Sequence, residues 1–306
     1  MKSIFAFLAL AAALVAGPAA ATAPELKWKP LVTPAEALAA MTNEHRAHIV
    51  DIRAPIDFKK GHIAGAANAP YHTWRGPNAN PGALITDAAL TEVLQGAGVE
   101  RARPVIVVNR AQGASDFGAA ARVYWSLKSA GVERIAILNG GMAAWRDAGY
   151  DVSVAPSPIK RSGIEASFSD QWLIDRAGVA DVVAGRMDAR LVDARPLEFF
   201  EGRKKHGKAT EAGTLKGALH LIHSAWFAKD DVAMVSTPEA AAEIAKRAGY
   251  DGALTEGETL VSFCNTGHWA ATNWFALSEV AGIENVKLYP ESLVGWTAAG
   301  GEVVSQ

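Results

Sequence analysis

This chain of 306 residues carries one long internal repeat, and the repeat limits its fold more than any other feature. His48-Ile49-Val50-Asp51-Ile52-Arg53 matches Arg190-Leu191-Val192-Asp193-Ala194-Arg195. Gly61-His62-Ile63-Ala64-Gly65-Ala66 matches Gly213-Thr214-Leu215-Lys216-Gly217-Ala218, and Pro104–Asn109 matches Thr259–Cys264. Gly131-Val132-Glu133 returns as Gly282-Ile283-Glu284, and Trp145 as Trp296. The offset grows from 142 residues (Asp51 to Asp193) to 155 (Asn109 to Cys264), as loop insertions in the second half would produce. Two similar domains of ordinary size follow. The Pro/Ser-rich stretch 155–163 has linker composition, which places one domain over 24–157 and the other over 158–306.

Within each half, short apolar runs alternate with helical patterns. Ile49–Ile52, Val105–Val108 and Ile135–Leu138 predict strands; Pro34–Met41, Asp87–Gly96 and Ser115–Ala130 predict helices, the last stopped by Gly131. Strands separated by helices make an α/β protein, each half a parallel sheet covered on both faces. Ligands of such sheets gather at the carboxyl ends of the strands.

The chain's one cysteine stands at such an end. Leu260–Phe263 predicts a buried strand, Asn265, Thr266 and Gly267 are turn formers, and Trp269–Val280 suits a helix. Cys264 therefore lies where a strand turns into a helix. Loop N–H groups and the positive helix end favour thiolate over thiol there. A thiolate at the rim of the second domain, open to solvent, would be a nucleophile. The other reading of a lone cysteine is an inert buried apolar residue. Its counterpart in the first half is Asn109, so only the second half offers a nucleophile.

Residues 1–23 read as a signal peptide: Lys2, an apolar run from Ile4 to Ala16, then Gly17-Pro18 and small residues to Ala23. The run is too short to span a membrane, and no later stretch is apolar enough to do so. The expectation is an exported protein, secreted or periplasmic, with no internal disulfide. A composition of 50% hydrophobic and 20% charged residues with a formal net charge of -2 excludes a general nucleic-acid binder. His220 and His223 share a helix spacing, but no carboxylate or cysteine cluster joins them, so no metal site is expected.

Several of these motifs together resemble the tandem-domain rhodaneses, the thiosulfate and 3-mercaptopyruvate sulfurtransferases. They are Asp-x-Arg at the first strand of each half (Asp51/Arg53, Asp193/Arg195), the Gly61–Ala66 segment, the loop Cys264-Asn265-Thr266-Gly267-His268-Trp269, and Gly295-Trp296. The similarity runs over nearly the whole chain after residue 23. It implies two rhodanese-like domains, an inactive first and a catalytic second. It further implies a Cys264 persulfide that relays sulfane sulfur from a small donor to cyanide or a thiol, with no cofactor. A redox protein is a further candidate acceptor. The loop residues Asn265, Thr266, Gly267, His268 and Trp269 would bind substrate, with His268 offering positive charge or a proton, and Asp193 with Arg195 would brace the site.

The chain departs from that pattern at Phe199, where family members carry an arginine for the anionic donor; Arg203, just beyond, is the candidate replacement. The loop also lacks the basic residues typical of thiosulfate enzymes. These departures keep a second reading open, a non-catalytic module that binds sulfur or anions or docks a partner. A cysteine phosphatase would need an arginine where Ala270 stands.

Overall fold

The computed structural model describes residues 28–43, 46–229, 231–247 and 258–306; residues 1–23, where the signal peptide is expected, lie outside them. The first domain runs β1 (Leu31–Val32), α1 (Pro34–Thr42), β2 (His48–Asp51), α2 (Pro55–Lys59), β3 (Ala67–Asn68), α3 (Asp87–Gly96), β4 (Val105–Val108), α4 (Ala114–Ser129), β5 (Ile135–Leu138) and α5 (Gly141–Asp147). The second runs α6 (Arg176–Val183), β6 (Ala189–Asp193), α7 (Leu197–Phe200), β7 (Leu219–His220), α8 (Pro238–Arg247), β8 (Thr259–Phe263), α9 (Trp269–Phe275), β9 (Val286–Leu288) and α10 (Ser292–Ala298). Both sheets are parallel, in the orders β1-β5-β4-β2-β3 and β7-β6-β8-β9.

The apolar runs sort by the period of two that a pleated strand imposes. Ile49, Ile106, Val108, Ala136 and Leu138 pack with α1 and α5 on one face of the first sheet. Val50, Val105, Val107, Ile135 and Ile137 face α3 and α4 on the other. In the second domain, Leu191, Val261 and Phe263 meet α6 and α10, whereas Val192 and Leu260 join the core that contains α8 and α9. The expected helices form close to their predicted bounds. Thr33 starts α1 with a capping box: its hydroxyl accepts the Glu36 N–H while Glu36 Oε2 accepts the Thr33 N–H at 2.9 Å. The helix predicted over Trp269–Val280 changes character after Phe275. Ala276–Val280 is a π turn, closed by the Ala281 N–H on the Ala276 carbonyl at 2.8 Å.

One apolar cluster runs through both domains. Helix α4 is buried at every position from Phe117 to Leu127, because one side covers its own sheet and the other lies on α9. Phe117 meets Phe275 and Phe227 edge-on, and Tyr124 meets Phe275 at a centroid distance of 4.9 Å. At the border, Tyr124 Oη donates to Glu279 at 2.7 Å and Lys128 Nζ pairs with the same carboxylate at 2.8 Å. Residues beyond the predicted linker stay on the first domain: Gln95 donates to the Ile164 carbonyl, and Thr91 bonds Ala166 through both backbone groups. The first domain thus forms a wall against the carboxyl end of β8.

Candidate active site

The repeat is exact enough to duplicate its bracing. Arg195 forks onto Asp193 (Nε to Oδ1 at 2.9 Å, Nη2 to Oδ2 at 2.6 Å) and donates to the Gly213 carbonyl at 2.8 Å. Arg53, Asp51 and Gly61 make the same three contacts in the first domain. Both pairs are buried, and each clips the turn ahead of the next strand to the end of the first long strand. Asp193 and Arg195 do not line the cavity at Cys264. Their link to it passes through Phe199, which lies under the Arg195 guanidinium and meets Trp269 edge-on at 6.2 Å.

Cys264 follows the last residue of β8. The Ser292 hydroxyl pins its loop, accepting the backbone N–H of Cys264 at 3.0 Å and of Gly267 at 3.1 Å, and donating to the Tyr289 carbonyl at 2.9 Å. Gly267 has φ +67, and a Cβ there would stand 2.4 Å from the Pro290 carbonyl and 2.5 Å from Arg122 Nη1. Only glycine fits that turn without a shift. Among the described residues, the N–H groups of Asn265, Thr266 and His268 have no protein acceptor, which leaves them free for an anion.

The cysteine is not at an open rim as expected. It is 1% exposed, and it lies in the wall of a cavity of about 210 Å3 lined also by Tyr71, Arg75, Ser115 and His206 and by Asn265, Thr266, His268 and Trp269 of its own loop. Tyr71, Arg75 and Ser115 belong to the first domain, whose docking covers what the second domain alone would expose. Of the expected substrate-binding residues, Asn265, Thr266, His268 and Trp269 line the cavity, and Gly267 shapes the loop behind it. Arg203 does not: it is exposed and ion-paired with Glu201, two residues away on the same turn. Phe199 is packed behind Trp269 and is likewise not in the wall.

His268 does not supply charge. The Ser115 carbonyl can only accept, so the 2.6 Å contact makes Nε2 the protonated nitrogen. Nδ1 then accepts from Tyr71 Oη at 2.9 Å. Burial, with Arg75 nearby, pushes the imidazole down to about 3, so it is neutral at ordinary pH. Trp269 is held on three sides: its ring stacks on His223 at 4.6 Å, Phe199 abuts it, and Nε1 donates to Ser115 Oγ at 2.8 Å. His223 is pushed down to about 4 by burial, and His220 stacks on Phe200. Among the described residues no cluster of His, Cys, Asp or Glu could hold a metal ion.

Positive charge comes from the first domain. Arg75 Nη2 donates to the Thr266 carbonyl at 2.7 Å, its Nε is buried without a partner, and its guanidinium lies 5.1 Å from the Tyr71 ring centre. Arg122, on α4, is 1% exposed and reaches the Gly267 carbonyl at 3.4 Å, with its Nε also unpartnered. Burial pulls its guanidinium down to about 10, and its field reaches Cys264. Among the described residues neither arginine has a carboxylate partner, and no carboxylate lines the cavity. Sequence reasoning missed both. The available signal was Arg122 itself, a charge inside the apolar helix Phe117–Leu127 with no acid three or four positions away. At the equivalent position of the first domain, Asn109 is tied by its amide to the Asp116 carboxylate at 3.0 Å.

Fold and site together define a duplicated α/β protein with one cysteine at a strand end, buried beside a cavity that residues of both domains line. The rhodanese-like domain model matches residues 33–148 and again 171–299, so the chain belongs to the rhodanese family and carries two copies of its domain. It is 26% identical over 284 residues to a Mycobacterium tuberculosis protein provisionally named thiosulfate sulfurtransferase SseB, covering 88% of this chain and 94% of that one. It superimposes on the 3-mercaptopyruvate sulfotransferase SseA of Escherichia coli with a TM-score of 0.72 at 21% identity, over 86% of this chain and 98% of that one. An anaerobic ergothioneine biosynthesis enzyme of Chlorobium limicola gives 0.73 at 19% identity, over 88% and 68%. At these structural identities the likeness is one of fold.

Proposed function

We propose that this protein is a sulfurtransferase that moves sulfane sulfur from a donor such as thiosulfate to a thiophilic acceptor through a persulfide on Cys264. The observation that carries this reading is the setting of Cys264: the nucleophile is in the wall of a cavity without carboxylates, near two arginines that have no carboxylate partner among the described residues. The names of the curated relatives support the same chemistry. In the first half-reaction the Cys264 thiolate attacks the outer sulfur of thiosulfate. A new S–S bond forms, the old one breaks, and its electron pair leaves with sulfite. The terminal persulfide sulfur would be anionic, and the unbonded N–H groups of the same loop would stabilise it as they would an oxyanion. In the second half-reaction cyanide or a thiolate takes that sulfur and the Cys264 thiolate returns. No step needs a cofactor. Export and a redox protein as acceptor belong to the same proposal; the sequence of residues 1–23 supports the first.

The test is intact mass spectrometry after incubation with thiosulfate or 3-mercaptopyruvate. The expected result is the addition of one sulfur atom, absent in Cys264→Ser and discharged by cyanide. Failure of every sulfane donor to load Cys264 would overturn the reading in favour of a binding module.

A further inference from the structure

We infer that the cysteine-free first domain is the anion-recognition half of the site, with Arg75 as the contact residue for a donor whose leaving group is an anion, and Arg122 as a buried charge behind it. This inference rests on the proposed sulfur transfer but concerns which atoms select the donor.

Among the described residues, the second domain places no lysine or arginine in the cavity wall. His268 is locked as a neutral tautomer by Ser115 and Tyr71. His206, in the wall, is held below its ordinary value by burial and by nearby Lys208 and Arg75. Arg203 pairs with Glu201, Lys204 with Glu198, and Lys205 donates to the Ala209 carbonyl. Phe199 packs on Trp269 and brings no charge. Among the described residues, Arg75 of the first domain is therefore the one lysine or arginine in the cavity wall.

Arg75 is built for that role. It lines the cavity, is held by one bond from Nη2 to the Thr266 carbonyl, and keeps a buried Nε without an acceptor. A buried guanidinium N–H left unmade is costly, and a sulfonate or carboxylate oxygen would satisfy it. Arg122 is not in the wall, so its part is electrostatic. Its charge favours the sulfite that departs when the donor S–S bond breaks. The cavity, at about 210 Å3, is roomier than thiosulfate needs, and Tyr71 and Trp269 give it flat apolar walls. The favoured class is thus small donors that join a sulfane sulfur to an anionic head, including thiosulfonates with a short apolar tail.

The experiment compares alkylation of Cys264 by iodoacetate and by iodoacetamide, reagents of similar size that differ in charge, in the full-length protein. Arg75→Gln should slow iodoacetate roughly tenfold, the loss of one charge-assisted hydrogen bond. It should leave the iodoacetamide rate within about twofold, so that the loss is one of charge selection. Arg75→Lys should recover most of the iodoacetate rate. The KM for thiosulfate should rise in parallel in Arg75→Gln. An equal fall for both reagents would overturn the inference, since Arg75 would then act only by holding the loop. Unchanged iodoacetate selectivity would overturn it as well. If the wild-type protein selects iodoacetate yet takes sulfur from no donor, the sulfur-transfer reading fails and the anion site stands.

Discussion

The hydroxyl of Ser292 accepts the backbone N–H of Cys264 at 3.0 Å, from a residue itself held at φ +51. That single oxygen also takes the Gly267 N–H, so the start and the bend of the loop are fixed from one point behind the cavity. Replacing it leaves two buried donors unmade. Ser292→Ala should destabilise the protein by about 1–3 kcal/mol. Ser292→Gly should cost roughly 1 kcal/mol less than Ala, because glycine tolerates a positive φ. Urea denaturation of the two variants checks both the loss and the ordering, and turnover should fall in each as the loop loosens.

Gly267 has no room for a side chain. Gly267→Ala would drive a methyl group into the Pro290 carbonyl, a backbone atom that cannot swing aside, and against the buried Arg122 guanidinium. The loop must shift to admit it, and a displacement near 1 Å is enough to cost about a hundredfold in rate. The expected outcome is a soluble, folded protein with turnover reduced roughly that much. Wild-type kcat and KM in this variant would show that the loop geometry is not limiting.

The aromatic contact of α4 with α9 makes the two domains one folding unit. A single calorimetric transition is expected, with van't Hoff and calorimetric enthalpies in agreement. Phe275→Ala removes a fully buried ring that touches both Phe117 and Tyr124 across the boundary. It should cost about 3–5 kcal/mol, and the transition should split or broaden as docking weakens.

Stability should fall as the medium turns acidic, and histidine is one cause. His223 is about 6% exposed and is pushed down to about 4, whereas in the unfolded chain it titrates near its ordinary value of 6.5. Below that value the unfolded chain binds a proton that the native protein refuses. The contribution is therefore complete above pH ~6.5 and drains away as pH falls toward ~4. Over that window one such residue adds at most about 1.4 kcal/mol per pH unit to the slope. His223→Phe keeps a flat ring against Trp269 and should reduce the slope by up to that amount. Urea midpoints measured at several pH values give the comparison, and an unchanged slope would remove His223 from the account.

The sequence alone determined what depends on neighbours along the chain. Short apolar runs at Ile49–Ile52, Val105–Val108 and Leu260–Phe263 placed the strands, since a strand covered on both faces buries successive residues. The matched Asp-x-Arg pairs and late tryptophans fixed a duplicated frame, and Cys264 followed from its place between strand and helix. The cavity was a matter for tertiary structure. Tyr71 and Arg75 lie some 190 residues from His268 and Thr266 along the chain, yet they meet them at 2.9 and 2.7 Å. Burial and field are sums over everything that packs nearby, and no local pattern encodes them. That is why Arg203, close in sequence, spends its charge on Glu201, while Arg75 and Arg122 reach the loop from another domain. For the same reason His268 is neutral and Cys264 is buried: Ser115 and Tyr71 of the first domain hold the ring, and packing from both domains covers the sulfur.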